Sequence, residues 1–368
     1  MSRVSALTVC GYKSVRELKD FKLKSLNVLI GANGAGKSNV INLFRLLNAM
    51  YEQQLQLYVQ KQGGPDALLH FGRGTSEYLS ADFRFQMSNT SAIEQGYQFK
   101  LVPTLDNRLI FESEKSLLLG GELPVMNPSR SLGGGHAESK LKGAGDSYSK
   151  YARESVSNWR VYHFHDTSDN AKVKQRHATN DNLRLKPDAA NLAAYLRFLK
   201  EKHEAQYQRI VETIRLVLPF FDDFVNRPGD AEYIELEWSQ RGKSDTPFKA
   251  HMLSDGSLRF ICLMTLLLQP IELLPDTLLI DEPELGLHPY AISILADVFK
   301  QVAEDRQLIV STQSVELVNE LLPEDVIVVE QDEGMSTLRR YTESELSGWL
   351  QEYSMGEIWK RNILGGRP

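Results

Sequence analysis

Gly31-Ala32-Asn33-Gly34-Ala35-Gly36-Lys37-Ser38 decides how the rest of the chain is read. Two glycines bracket four residues and Lys-Ser follows, the pattern of a phosphate-binding loop. Glycines let consecutive backbone N–H groups turn inward onto phosphate oxygens without side-chain clashes. A helix that starts there adds its positive end. The flanks meet the requirement. Leu26-Asn27-Val28-Leu29-Ile30 is an apolar run suited to a buried strand, and Val40, Leu43, Leu47 and Met50 recur on one face of a helix. Lys37 is expected to neutralise the β- and γ-phosphates of ATP, and Ser38 to ligate Mg2+. Gly31, Asn33, Gly34, Ala35, Gly36 and Asn39 complete the set expected to contact the nucleotide.

A second stretch supplies carboxylates. Thr277-Leu278-Leu279-Ile280-Asp281-Glu282-Pro283 is an apolar strand that ends in two acids. Asp281 can hold Mg2+ through water, and Glu282 can polarise a water for in-line attack on the γ-phosphate. Alone, the run reads as a strand cap with solvated acids. Beside a phosphate loop it reads as a hydrolytic site.

The 368 residues are 42% hydrophobic and 24% charged, a globular composition. Net charge is −6, so the surface as a whole does not attract nucleic acid. The charge is uneven. His136 to Lys186 carries ten Lys/Arg against six Asp/Glu, and Gln269 to Glu333 carries two against fifteen. Two cysteines, Cys10 and Cys262, make no disulfide framework. The start lacks a basic segment followed by an apolar one, and the longest apolar run, Phe260 to Leu268, has nine residues. A bilayer span needs about 18. A cytoplasmic protein with no membrane association is expected.

The remaining pattern predicts an α/β fold. Residues 79–112 alternate like antiparallel strands, and a short aromatic strand runs from Trp159 to Phe164. The Gly- and Ser-rich stretch between them (about 113–150) reads as a mobile insertion. Asp188 is placed to cap one long helix from Leu192 to Val217, stopped by Pro219, and Ile234 to Trp238 alternates as one strand. From Thr277 to Glu330 strands and helices alternate, which indicates a mainly parallel sheet flanked by helices. The expected division is 1–165, an N-terminal lobe with the phosphate loop and antiparallel strands; 166–250, a helical and linking region; and 251–368, a C-terminal lobe. Together they form one composite head, without a coiled coil.

Further motifs make a resemblance explicit. Leu253-Ser254-Asp255-Gly256-Ser257-Leu258-Arg259, 27 residues ahead of Asp281 counted from Ser254, resembles the signature motif of ABC-type ATPases. Glu284-Leu285-Gly286-Leu287-His288-Pro289 resembles the D-loop of the SMC and RecF-like branch, and Ser311-Thr312-Gln313-Ser314 stands where that branch carries its switch loop. Gly11-Tyr12-Lys13-Ser14 resembles the basic-Ser element before the phosphate loop, and the stretch Gly356 to Pro368 is similar to stand-alone bacterial members. The resemblance implies an ATPase that clamps two heads around two ATP molecules. Ser254 and Gly256 then reach the γ-phosphate bound by the other copy, Lys13 touches a phosphate or the base, and Gln313 takes the place of the usual histidine. It also implies DNA repair or anti-phage roles, an effector protein encoded nearby, and DNA or RNA as a further partner.

Glutamine carries no positive charge, so a nucleotide-binding regulatory module without turnover stays open. A transporter subunit is disfavoured by the separation of 244 positions from Lys37 to Asp281, and a nuclease of the Toprim-bearing kind by the 38 residues that follow Glu330. His163 and His165 flank Phe164 beside Asp166, too few ligands for structural zinc. Lys172, Lys174, Arg176, Arg184 and Lys186 read either as a nucleic-acid contact or as a solvated charged loop. The glutamine expected between the first helix and the second lobe is not singled out among Gln53, Gln54, Gln60 and Gln62.

Overall fold

The apolar run before the phosphate loop forms a strand, Leu26–Ile30, buried along its whole length at the centre of a six-stranded sheet. The computed structural model describes residues 2–87, 93–120, 129–227 and 231–367. From one edge the sheet runs Met335–Arg340, Val326–Asp332, Leu26–Ile30, Gln307–Ser311, Thr277–Asp281 and Trp159–Tyr162. Every neighbouring pair is parallel except the first. Parallel strands covered on both faces read as continuous apolar runs, which is the pattern these segments show. One face packs Val28, Ile30, Leu278, Ile280 and Val310 against the helices of the second half of the chain. The other packs Leu29, Leu279, Ile309 and Val329 against the helix Lys37–Tyr51 and the aromatic residues of a second sheet.

That second sheet is antiparallel throughout, in the order Val15–Lys22, Ser2–Tyr12, Leu79–Met87, Ile93–Pro103, Leu109–Gly120, Ser129–Gly133. Phe44, Phe83 and Trp159 meet edge-on or tilted between the two sheets.

Three expectations need correction. Of the Gly- and Ser-rich stretch, 121–128 lie outside the described residues, but the rest is built structure rather than a mobile insertion. Residues 113–120 continue a strand, Ser129–Gly133 add another, and Asp146 caps the helix Ser147–Ser157 by accepting from Ser149 N. Buried Glu114 ties it in, accepting from Tyr97 Oη, Ser139 Oγ and Lys140 N. The single long helix is two, Leu192–Lys202 and Glu204–Val217, broken at His203. Asp188 does not cap it; Asn191 precedes the helix, and Asp188 pairs with Lys172 at 3.1 Å. The run Ile234 to Trp238 is divided between two small sheets. Tyr233–Ile234 pairs with His177–Ala178, while Glu237–Gln240 lies between Phe221–Phe224 and Lys243–Lys249. Trp238 drives the second pairing, stacking on Phe221 and Phe248. Among the described residues no helix is long and apolar enough to cross a membrane.

Candidate functional site

Parallel register brings three strand ends to one edge of the central sheet. Ser311 pairs with both Asp281 and Leu29, so the phosphate loop, Asp281-Glu282 and Thr312-Gln313 leave the sheet side by side. Open α/β sheets bind ligands at this carboxyl edge.

The loop itself is shaped for close approach. Gly36 has φ +109°, and a Cβ there would lie 2.2 Å from Ser336 Oγ and 2.8 Å from Ser14 Oγ. Ser336 Oγ donates to Ala35 O at 2.6 Å and lies 2.7 Å from Ser14 Oγ. Asn39, half-buried, donates its side-chain amide to Ser14 Oγ at 2.6 Å. The helix Lys37–Tyr51 begins without a side-chain cap, leaving its first N–H groups for an anion. Asn33, Gly34 and Ser38 are exposed at its mouth.

Lys37 is 5% exposed and donates to Gly31 O at 2.6 Å and Ala32 O at 3.0 Å. Burial pulls its pKa down, and the nearby carboxylates of Glu282, Asp281 and Glu284 oppose that pull. A buried ammonium at an uncapped helix start, facing carboxylates, fits a triphosphate with a divalent cation. Lys37 and the loop amides would hold the phosphates, and Ser38 with Asp281 the Mg2+.

Glu282 adopts φ +44°, a left-handed conformation that a non-glycine residue holds only under constraint. The constraint is visible: Glu282 N donates to Ser311 O at 2.9 Å, and Gln313 Nε2 donates to Glu282 Oε1 at 2.5 Å. Asp281 Oδ1 accepts from Ser311 Oγ. Behind them sits Glu284, which the motifs did not single out. Its Oε1 accepts from Gln313 N at 2.9 Å while burial raises its pKa. Glu284 thus joins the D-loop to the switch loop, and Gln313 joins both to Glu282.

His165 was likewise missed as a site residue. The edge strand Trp159–Tyr162 runs beside Thr277–Asp281, and His165 Nε2 donates to Asp281 O at 2.8 Å. Among the described residues no cluster of three or more metal-ligating side chains occurs.

Ser254 caps the helix Asp255–Leu267, accepting from Ser257 N at 3.2 Å, and is exposed. Among the described residues it makes no hydrogen bond to its own phosphate loop. Gly256 abuts the D-loop so closely that a Cβ would lie 2.1 Å from Gly286 O. Arg259 locks this contact, donating to Leu285 O at 2.8 Å, Phe164 O at 3.1 Å and His165 O at 2.9 Å. Arg259→Met keeps the stem and removes the donors; we expect it to destabilise the fold by about 2 kcal/mol, read as a lower urea midpoint. An unchanged midpoint would show that the three hydrogen bonds contribute nothing.

Lys13, at φ +46°, donates to Gln62 Oε1 at 3.2 Å, and burial followed by Arg45 lowers its pKa. It lines, with Ser14, Phe71 and Gly334, an open hollow of about 490 Å³. The basic run is largely engaged within the chain. Lys172 pairs with Asp188, Arg176 with Glu235 and Lys186 with Asp181, and Lys174 is buried against Thr167 O.

A family profile described as "AAA domain, putative AbiEii toxin, Type IV TA system" matches residues 26–319. No curated protein matches the chain. Among solved structures, an SMC head bound to the C-terminal winged-helix domain of ScpA superposes with a TM-score of 0.60 at 16% identity, covering 94% of this chain and 99% of that one. An SMC head with an extended coiled coil, bound to the C-terminal domain of ScpA from Pyrococcus furiosus, gives 0.59 at 15%, covering 96% and 99%. The shared fold is that of an SMC-type P-loop ATPase head.

Proposed function

The chain belongs to the AAA-domain family of the AbiEii-toxin type, and on that premise we propose that it is an ATP-hydrolysing switch whose two copies close head to head around two nucleotides. The observation that carries the reading is the separation of roles within one chain. Lys37, Glu282 and Gln313 converge at one sheet edge, whereas Ser254 stands exposed at the start of a helix that, among the described residues, makes no hydrogen bond to that loop.

When bound with Mg2+, ATP supplies the phosphoanhydride bond that is cleaved. Lys37 would exchange the Gly31 and Ala32 carbonyls for phosphate oxygens, and Asp281 and Ser38 would hold the Mg2+ that neutralises phosphate charge. Glu282 accepts a proton from the attacking water. Gln313, released from Glu282, is free to donate its amide to the γ-phosphate. Ser254 and Gly256 reach the partner copy's nucleotide. Exposed Met252, Leu285 and Tyr290 next to the signature and D-loop segments supply apolar surface for that contact. Closure and release then control an effector protein, in anti-phage defence or DNA repair. The family description and the SMC heads solved with ScpA support a protein partner more strongly than the internally paired basic run supports nucleic acid.

Ser254→Arg tests the head-to-head arrangement. Each copy's phosphate loop stays intact, so ATP binding by calorimetry should match wild type. Turnover should fall at least tenfold, because the larger side chain occupies space meant for the partner's γ-phosphate. Wild-type turnover should rise more than linearly with protein concentration. A Ser254→Arg protein with full turnover, monomeric with ATP bound, would overturn the arrangement.

One observation favours a second reading, a nucleotide-binding module without turnover. Gln313 Nε2 donates to Glu282 Oε1 at 2.5 Å, which engages one of the two carboxylate oxygens that could take a proton. Multiple-turnover phosphate release by the wild type separates the two.

A further inference from the structure

The segment Leu364–Arg367 lies directly behind the phosphate loop. Leu364 is buried, and its carbonyl accepts from Tyr341 Oη at 2.9 Å. Gly365 and Gly366 follow at φ +79° and +57°, both in the region that favours glycine. Two hydrogen bonds fix the second of them: Gly366 N donates to Glu330 Oε1 at 3.0 Å, and the fully buried Trp359 donates its Nε1–H to Gly366 O at 2.6 Å.

Neither position has room for a side chain. A Cβ on Gly365 would lie 2.3 Å from Glu330 Oε1. One on Gly366 would lie 2.9 Å from Val328 Cγ1, 3.0 Å from Val329 O and 3.4 Å from Gly31 Cα. The first glycine of the phosphate loop is limited by the same atom, since a Cβ on Gly31 would lie 2.2 Å from Val329 O. The Val329 carbonyl therefore leaves no room for a side chain at either Gly31 or Gly366.

The next residue is Arg367. It is exposed, and among the described residues it makes no hydrogen bond or ion pair. Consecutive Cα atoms are about 3.8 Å apart. Arg367 thus follows directly on the residue whose Cβ would lie 3.4 Å from Gly31 Cα, at the glycine that opens the phosphate loop. A guanidinium matches phosphate oxygens in a bidentate geometry.

We propose that Gly365-Gly366 is a strap that braces the phosphate loop and delivers Arg367 to the phosphates of the bound nucleotide as a second cation beside Lys37. The proposal rests on the ATP-binding reading above.

Calorimetry of the full chain with MgATP tests it. Arg367→Ala should weaken binding about tenfold, the scale of one charge-assisted hydrogen bond, and reduce the salt dependence of binding. Arg367→Lys should recover part of the loss, which a merely structural role would not predict. Gly366→Ala should weaken binding at least as much, because the loop must shift to admit the methyl group. Measured thermal stability keeps that result interpretable: an Arg367→Ala protein should melt at the wild-type temperature in the absence of nucleotide. Wild-type affinity and salt dependence in Arg367→Ala would overturn the proposal while leaving the ATP-binding reading intact. Absence of ATP binding by the wild type would instead defeat that reading, and the proposal with it.

Discussion

Glu282→Gln is expected to bind ATP with wild-type affinity and to turn it over roughly 10²–10⁴ times more slowly, the range typical of a lost general base. The substitution is isosteric, so the left-handed backbone at φ +44° and the hydrogen bond from Glu282 N to Ser311 O persist. An amide oxygen can still accept from Gln313 Nε2. Asp281 keeps its hydrogen bond from Ser311 Oγ. What disappears is the capacity to take a proton. Single-turnover phosphate release measures this directly. A variant with the wild-type rate would mean that Glu282 is not the base, and the D-loop to switch-loop bridge through Glu284 would then have to serve another purpose.

Lys37→Ala should abolish measurable nucleotide binding. In the wild type the ammonium faces Glu282, Asp281 and Glu284, and its charge offsets theirs. Removing it leaves a triphosphate facing three carboxylates with only backbone dipoles and the helix end in its favour. Several charge-assisted hydrogen bonds disappear together, so affinity should fall roughly a hundredfold or more. Thermal unfolding gives an independent readout. Ligand at about 100 times its Kd stabilises a wild-type fold by about 2.7 kcal/mol, and the variant should show no ATP-dependent shift. A Lys37→Ala protein that is stabilised by ATP like the wild type would remove the phosphate loop from the mechanism.

Much of this site was legible in the sequence because its parts are local. The phosphate loop carries its own strand and helix, and Asp281-Glu282 ends an apolar strand that is recognisable by itself. What was not legible depends on which strands become neighbours. His165 reaches Asp281 only because Trp159–Tyr162 takes the edge beside Thr277–Asp281. Glu284 gained a role only when burial left it next to the Gln313 amide. Arg259 looked like the end of a signature motif, yet its donors go to carbonyls of two distant loops. Periodicity failed where one pattern satisfied two structures. The apolar spacing from Leu192 to Val217 continues through the break at His203, since both helices bury the same kind of face.

The position of Leu26–Ile30 in the central sheet has a consequence for synthesis. Its two neighbours are Gln307–Ser311 and Val326–Asp332, with Leu26 pairing to Leu308. At ribosomal speeds of about 5–20 residues per second, roughly 15–60 s separate the emergence of the phosphate loop from that of the strands that flank it. Throughout that interval a buried, mostly apolar segment lacks the strands that flank it. The nascent chain therefore cannot engage ATP productively until nearly all of the described residues have been made. Strand order alone thus delays the completed carboxyl edge of the sheet until late in synthesis.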